Sequence, residues 1–478
     1  MPSLTVETLN SLVRDAQYAV RGPVVARAAQ LSESIKKADE KRPPFDKIIP
    51  CNIGNPHALG QKPITFLRQV LAACMCPSLL EISSSDVALR AQEYLKGTSG
   101  GVGAYTETEG LALVRKQVAD FINKRDGFIS DPGRIMLTGG ASEGIKRIIQ
   151  AIVRDSSDGI MIPSPQYPLY SCQITLCGGK IVYYPLEEKR RWGIDLSAVQ
   201  EEYLAASDSG INLRAIVVIN PGNPTGNLLS YEDIVSVIKF AAKNNMLIMA
   251  DEVYQANVYR EGAKFLSFKK VLSELKRDHP AEFDDLQLVS FHSTSKGLHG
   301  ECGLRGGYME LVGFDDQTYA EIKKLGASSL SSTSVGQIAC GIMVTPPQIG
   351  DPSYDLFISE TSEQSASLKR RAVKMFDRLN AIPGFSCQPI DGAMYAFPQI
   401  LLPEGFVNEA VEKHMAADEW YCMRLVEETG IVCVPGSGFG QEIGTNHIRI
   451  TILPSEKDLD NVLDRLADFH CNIVAPYY

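Results

Sequence analysis

The chain has 478 residues, 44% hydrophobic and 22% charged, which is long for one core and suits two or three packed globular units. Its 47 Lys and Arg against 57 Asp and Glu leave a formal charge of −10 and an isoelectric point near 5.4, so the basic face that nucleic acid needs is missing. Eleven scattered cysteines suggest reduced thiols rather than a disulfide framework, and no apolar run approaches the ~20 residues of a membrane helix.

The N-terminus, Met1 to Asn10, contains Glu7 and no basic residue, unlike a signal or transit segment. The C-terminal Ala475-Pro476-Tyr477-Tyr478 is no peroxisomal address, so the expected compartment is the cytoplasm. Residues 1–45 read as an arm, with Tyr18 to Pro23 leading into an Ala- and Lys-rich helical stretch that stops before Pro43-Pro44. A short apolar run from Ile48 ends in the turn Asn52-Ile53-Gly54-Asn55-Pro56. Helical periodicity follows over Ile64–Ala73, Ser85–Leu95 and Gly110–Asn123, interrupted by the glycine-rich loop Gly97 to Tyr105. Cys74 and Cys76 lack a second pair to complete a zinc site and read as packed thiols; no metal is expected.

From about residue 134 to 312, short apolar runs alternate with amphipathic helical stretches. The runs are Arg134–Leu137, Gly159–Ile162, Ile181–Pro185, Ala215–Ile219, Leu247–Ala250, Leu286–Phe291 and Gly307–Leu311. Several are apolar throughout, as expected of strands covered on both faces, so the pattern predicts an α/β fold with a doubly wound, mostly parallel sheet. Past Ser332, long helical patterns over Val335–Met343 and Tyr354–Leu379 precede a smaller α+β part containing Gly392–Pro398, Ile431–Val434 and His447–Ile452. The expected division is an arm with part of the small domain over 1–85, a large domain over 86–345 and a C-terminal small domain over 346–478.

Five runs give way at their carboxyl ends to small or polar residues. These are Thr138-Gly139-Gly140-Ala141-Ser142, Pro163 to Tyr167, Asn220-Pro221-Gly222-Asn223-Pro224-Thr225-Gly226, Asp251-Glu252-Val253-Tyr254, and Ser293-Thr294-Ser295-Lys296-Gly297. Ligands of open α/β sheets bind outside the carboxyl ends of the strands, so these segments are expected to converge on one crevice. The set suits an aromatic aldehyde that carries a phosphate and a ring nitrogen. Lys296 supplies an amine able to form a Schiff base, and Asp251 a carboxylate for a protonated ring nitrogen. Asn223 and Tyr254 can donate to a phenolic oxygen, and Tyr167 can stack on the ring. The backbone N–H groups of Ala141 and Ser142, with Ser293, Ser295 and Arg305, can cradle the phosphate. Arg449 shares one strand face with His447 and Thr451, where its guanidinium can clamp a carboxylate. Each residue also has a plainer reading: a solvated loop for the lysine stretch, a helix N-cap for Asp251, turn chemistry for Asn223, core packing for Tyr167, a surface salt bridge for Arg449.

One rival chemistry is visible. Gly140-Ala141-Ser142-Glu143-Gly144 matches a Gly-x-Ser-x-Gly nucleophile elbow between a strand and a helix, with Asp251 and His447 following in the order of a hydrolase triad. That reading leaves Lys296, Arg305 and Asn223 without a role.

Together, Ser-x-Ser-Lys-Gly with Arg305 beyond it, Asn-Pro-Gly-Asn-Pro-Thr-Gly, Ala-Asp-Glu-Val-Tyr and Pro-x-Tyr-Pro resemble the class I, fold type I pyridoxal phosphate aminotransferases. Further stretches, among them Cys51 to Pro56, Gly300 to Gly303, Gly392 to Pro398 and Val434 to Gln441, look closest to the alanine aminotransferase branch, in the family's order along nearly the whole chain. The resemblance implies a cofactor, pyridoxal 5′-phosphate, held by Lys296 as a Schiff base, and ping-pong transfer of an amino group between L-alanine and 2-oxoglutarate. It also implies a homodimer in which Tyr105 reaches the phosphate of the neighbouring subunit's cofactor, with Gly54, Asn223 and Arg449 lining the substrate. Glyoxylate-using aminotransferases share most of these motifs and are the alternative. Leu298, Leu304 and Ile448 stand where relatives often have an aromatic residue, which bears on substrate preference.

Overall fold

Each of the seven apolar runs forms a strand, and one short edge strand joins them. In the computed structural model they are β1 (Ile135–Thr138), β2 (Asp158–Ser164), β3 (Lys180–Glu187), β4 (Gly193–Ile194), β5 (Asn212–Ile219), β6 (Leu247–Asp251), β7 (Leu288–Ser293) and β8 (Gly307–Val312). Residues 3–18, 20, 22–37, 43–474 and 476 are described; Met1, Ala19, Arg21, Ala475, Tyr477 and Tyr478, which entered the reading of the arm and the two ends, lie outside them.

The strands make one sheet in the order β1-β8-β7-β6-β5-β2-β3-β4. Neighbours from β7 through β6, β5 and β2 to β3 are parallel, while β8 lies antiparallel between β7 and β1. Because β8 is reversed against both neighbours, β1 runs in the same direction as β7. The carboxyl ends of β1, β2, β5, β6 and β7 therefore lie along one edge, where they meet the amino end of β8. β1, β6 and β7 bury almost every residue on both faces, which explains why their sequences are continuously apolar rather than alternating.

The C-terminal part carries a second sheet of Tyr395–Ala396, Ile448–Thr451 and Val434–Pro435, all antiparallel. Of the expected run Ile431–Val434 only Val434 is in this sheet; Ile431 instead bridges Ile49 of the N-terminal part. The N-terminal helix Pro23–Lys37 buries Val24, Ala28 and Leu31 in the core that also holds Tyr421 and Leu425, and Arg27 pairs with Glu427 at 2.7 Å. The helix that the plainer reading of Asp251 as an N-cap requires does not form. Glu252 instead turns its carboxylate to the Phe268 N–H at 2.8 Å, and the next helix, Phe268–Asp278, is capped by Ser267. Among the described residues no helix is long and apolar enough to cross a membrane, and no cluster of His, Cys, Asp and Glu could hold a metal ion.

Candidate active site

The carboxyl edge of the sheet opens into a cavity of about 830 Å³ lined by Gly54, Ala141, Ser142, Tyr167, Asn223, Asp251, Tyr254, Ser293, Ser295, Lys296, Arg305 and Arg449. Five strand ends, the turn at Gly54 and the second sheet thus deliver every expected site residue but one to the same space. Tyr105 is the exception: it is 78% exposed and lies outside this chain's cavity.

Lys296 leaves β7 through Thr294, whose amide and hydroxyl both donate to the Gly306 carbonyl at 3.1 and 3.2 Å. The loop is pinned again when the Gly297 N–H donates to Asn257 Oδ1 at 2.9 Å. Lys296 Nζ then donates to the Gly54 carbonyl at 2.6 Å and stands 5.9 Å from the centre of the Tyr254 ring. A Cβ on Gly54 would lie 2.2 Å from Tyr395 Oη and 2.9 Å from Lys296 Nζ. Gly54→Ala is therefore expected to push both groups aside and lower kcat by roughly 10- to 100-fold, the usual effect of ångström-scale misplacement, as steady-state kinetics would read.

Asp251 is the last residue of β6, only 4% exposed, with the Tyr170 hydroxyl donating to it at 3.1 Å and the Val253 N–H at 3.4 Å. Burial pushes its carboxyl up to about 6, against the pull of Tyr170, Val253 and the Lys296 charge. Among the described residues no cation pairs with it at ion-pair distance. A buried carboxylate at the foot of an open cavity is the partner that a protonated ring nitrogen requires. Above about pH 6 it is charged and can hold that cation; below, it is neutral. Cofactor affinity is thus expected to fall as pH drops through about 6, and Asp251→Asn to lack this component, as binding titrations between about pH 5 and pH 8 would show. The sign for folding follows from the same raised value. The cofactor-free fold gains stability from this group below the unfolded pKa of about 4 and loses it as pH rises through about 6.

Asn223 Oδ1 accepts from Arg449 Nη1 at 3.0 Å, which leaves the Asn223 amide N–H groups to donate elsewhere. Tyr254 donates to Tyr395 Oη at 3.4 Å, and burial with the neighbouring phenol raises Tyr254 well above the usual tyrosine range. Burial would raise Tyr395 too, but the charges of Lys296 and Arg449 bring it below that range. Tyr167 is bonded through its hydroxyl to Tyr18 of the arm at 2.8 Å, so its ring is held at the cavity wall rather than lost in the core.

At the other end of the cavity the helix Ala141–Ile152 begins after Gly140, whose φ is +84°. Its first N–H groups have no earlier carbonyl in the helix to bind, which suits an anion. A Cβ on Gly140 would lie 2.3 Å from Arg305 Nη2, and Arg305 donates to the Gly139 carbonyl at 2.7 Å. Glycine hence lets the guanidinium lie against the helix start, beside Ser293 and Ser295. These donors fit a phosphate, and the cavity as a whole fits pyridoxal 5′-phosphate. Arg305→Ala is expected to weaken cofactor binding about 10- to 100-fold, the loss of a charged hydrogen bond worth about 1.5–3 kcal/mol, with most turnover restored by excess cofactor.

Arg449 lies on no solvated face. It is 1% exposed, with the Tyr395 and Phe439 rings 4.2 and 4.8 Å away, and donates to Asn223 and to the Asn52 carbonyl. Its Nε is buried without a partner among the described residues, so this buried cation fits an incoming carboxylate rather than the surface salt bridge that an alternating strand suggests. The hydrolase triad is not assembled. His447 is bound to Glu188 at 3.1 Å and Gln441 at 3.0 Å, stacks on Phe397, and does not line the cavity of Ser142 and Asp251. The Glu143 carboxylate accepts from the Gly139 N–H and from Arg147. Tyr170, Tyr395, Tyr18, Arg68 and Glu301 belong to the site or its walls without having been singled out. Tyr395 and Glu301 carried a signal, their places inside Gly392–Pro398 and Gly300–Gly303.

The family model "Aminotransferase class I and II" matches residues 78–466. "Probable alanine aminotransferase, mitochondrial" of Dictyostelium discoideum is 46% identical over 99% of this chain and 90% of its own length. "Glutamate--glyoxylate aminotransferase 2" of Arabidopsis thaliana is 44% identical over 100% of this chain and 98% of its own. Among solved structures, the alanine aminotransferase of Pyrococcus furiosus shares the fold with a TM-score of 0.74 at 24% identity, covering 96% of this chain and 98% of that one. The mitochondrial name of the Dictyostelium relative overturns the expectation of a cytoplasmic location; a lack of basic residues in ten N-terminal positions is too local a feature to decide a compartment. The chain belongs to the aminotransferase class I and II family, and it is an enzyme whose cofactor is pyridoxal 5′-phosphate.

Proposed function

We propose that this chain is an alanine transaminase, moving an amino group between L-alanine and 2-oxoglutarate to give pyruvate and L-glutamate. The observation that carries the reading is one cavity in which Lys296, the buried carboxylate of Asp251 and the buried, incompletely partnered guanidinium of Arg449 face the same space. The relative named as an alanine aminotransferase, 46% identical over 99% of the chain, supports the choice of substrate.

Pyridoxal 5′-phosphate, when bound, supplies the electron sink that stabilises charge left on the substrate's α-carbon after proton removal. The protein's own groups do the rest. Ser293, Ser295, Arg305 and the N–H groups of Ala141 and Ser142 anchor the phosphate. Tyr167 covers the ring, Asn223 and Tyr254 orient its phenolic oxygen, and Asp251 keeps positive charge on its nitrogen. Arg449 fixes the substrate through its α-carboxylate, so that the α-hydrogen faces Lys296. The Lys296 amine would take that proton as a base and, as an acid, would deliver it to the carbonyl-derived carbon of the cofactor, across the nitrogen from the α-carbon. Gly54 leaves room for this exchange, and Asn257 keeps the lysine loop in place.

The exposed Tyr105 supports a homodimer in which it completes the phosphate site of the neighbouring copy. A division at about residues 85 and 345 belongs to the same reading, supported by the helix Ser334–Val344 ending there and by helix Tyr354–Asn380 packing on Glu456–Val474. The Arabidopsis relative supports a second reading, glutamate:glyoxylate transfer, without favouring it over the first.

Purified holoenzyme mixed with L-alanine alone should lose its cofactor absorbance band and release pyruvate, then recover the band on addition of 2-oxoglutarate. A spectrum indifferent to L-alanine but responsive to L-glutamate and glyoxylate would shift the assignment to the second reading. Ester hydrolysis lost on Ser142→Ala would sink both.

A further inference from the structure

If the transaminase reading holds, one cavity must accept substrates of different charge: L-alanine and pyruvate carry one carboxylate, L-glutamate and 2-oxoglutarate two. Four lysine and arginine side chains line the cavity. Lys296, Arg305 and Arg449 have roles above; the fourth, Arg68, has none. It sits in the helix Thr65–Met75, where its Nε and Nη2 donate to the two carboxylate oxygens of Glu301 at 2.7 and 2.8 Å. The Glu301 side chain is 3% exposed and that of Arg68 47%, so the carboxylate is the fixed member and the guanidinium the open one. His57 Nδ1 stands 3.8 Å from the same carboxylate.

The pair is built into the lysine segment. The Glu301 N–H donates to the Thr294 carbonyl at 2.9 Å, Gln61 Nε2 to the Leu298 carbonyl at 3.0 Å, and His57 Nε2 contacts the His299 carbonyl at 3.0 Å. Glu301 occupies the Nε and Nη2 side of the guanidinium fork, and Nη1 has no partner among the described residues. A guanidinium carries five N–H donors in a rigid plane and can serve two carboxylates at once.

We propose that Arg68 recognises the side-chain carboxylate of the dicarboxylic substrate, and that Glu301 is the built-in counter-ion that keeps Arg68 neutralised when the substrate side chain is a methyl group. An unpaired guanidinium facing that methyl would be desolvated without compensation. With Glu301 in place the wall is tolerable to alanine, and the free Nη1 edge still offers donors to a second carboxylate. Substrate specificity for both a small and a long acid then needs no movement of Arg449.

The test follows the cofactor spectrum of the holoenzyme with L-alanine and L-glutamate separately, and of the enzyme first converted to its aminated form and freed of amino acid with pyruvate and 2-oxoglutarate separately. Arg68→Gln is expected to raise the half-saturating concentration of both dicarboxylic substrates about tenfold or more, with L-alanine and pyruvate within about twofold, as loss of a charge-assisted contact to one carboxylate requires. Because Arg68→Gln leaves Glu301 buried without its partner, Arg68→Gln/Glu301→Gln repeats the measurement with a neutral wall, and the same split is expected. A merely structural pair would change all four substrates alike. Equal changes for all four, or none, in both variants would overturn the role of Arg68 while leaving the transaminase reading intact. A wild-type enzyme inert to both L-alanine and L-glutamate would overturn that reading, and this inference with it.

Discussion

Lys296→Ala is expected to lower amino transfer by about a thousandfold or more while the protein still folds and binds its cofactor. Among the described residues Lys296 is the sole lysine lining the cavity, so none of them offers a second amine to form the covalent link to the cofactor or to relay the α-proton. The other proposed anchors of the cofactor should survive the change, since Asp251, Asn223, Arg305 and the start of the helix Ala141–Ile152 make no hydrogen bond to Lys296 among the described residues. Lys296→Arg would keep the charge beside Gly54 but not a group that deprotonates, and it should be as inactive. Single-turnover kinetics with L-alanine, alongside cofactor titration and thermal melting, separate these statements. A variant retaining more than about a tenth of wild-type turnover would exclude Lys296 as the proton carrier.

Arg449→Leu should have the next largest effect, on binding rather than on the proton. The guanidinium sits between two aromatic rings, bound to Asn223 and Asn52, with Nε unpartnered. Truncating one partner of a buried charged contact costs about 2–5 kcal/mol, or roughly 30- to 1000-fold and more in kcat/KM. The loss should be the same for L-alanine and L-glutamate, since both present an α-carboxylate, which distinguishes it from the selective loss expected of Arg68→Gln. Arg449→Lys should recover little of it. An ammonium cannot reach Asn223, Asn52 and a carboxylate together from one planar fork. Parallel steady-state measurements of the two amino acids would show whether the losses match.

The parts of this site that were legible in the sequence are those fixed by the sheet. Parallel strands buried on both faces read as apolar runs, and the residues that end them, Ser142, Tyr167, Asn223, Asp251 and Lys296, must then share an edge. What was not legible depends on contacts between distant segments. Tyr170 is an ordinary aromatic in its own helix and becomes part of the site only because its hydroxyl meets Asp251. Tyr18 lies in the arm and gains its place from Tyr167. The polar face of the strand at Arg449 predicts exposure, yet His447, Arg449 and Thr451 are all at most 2% exposed, because distant segments cover that face: His447 stacks on Phe397 and meets Glu188, Arg449 meets Asn223 and Asn52, and Thr451 donates to the Met394 carbonyl. The reversed direction of β8, which brings Arg305 to the same edge as Ser293, leaves no mark on a run of apolar residues.

Whether Lys296 is the residue joined to the cofactor can be read from borohydride reduction of the holoenzyme, followed by proteolysis and mass spectrometry. One reduced adduct is expected, on the peptide containing Lys296, absent when L-alanine is added before the reductant. An adduct on any other lysine, or a holoenzyme that yields none, would contradict it.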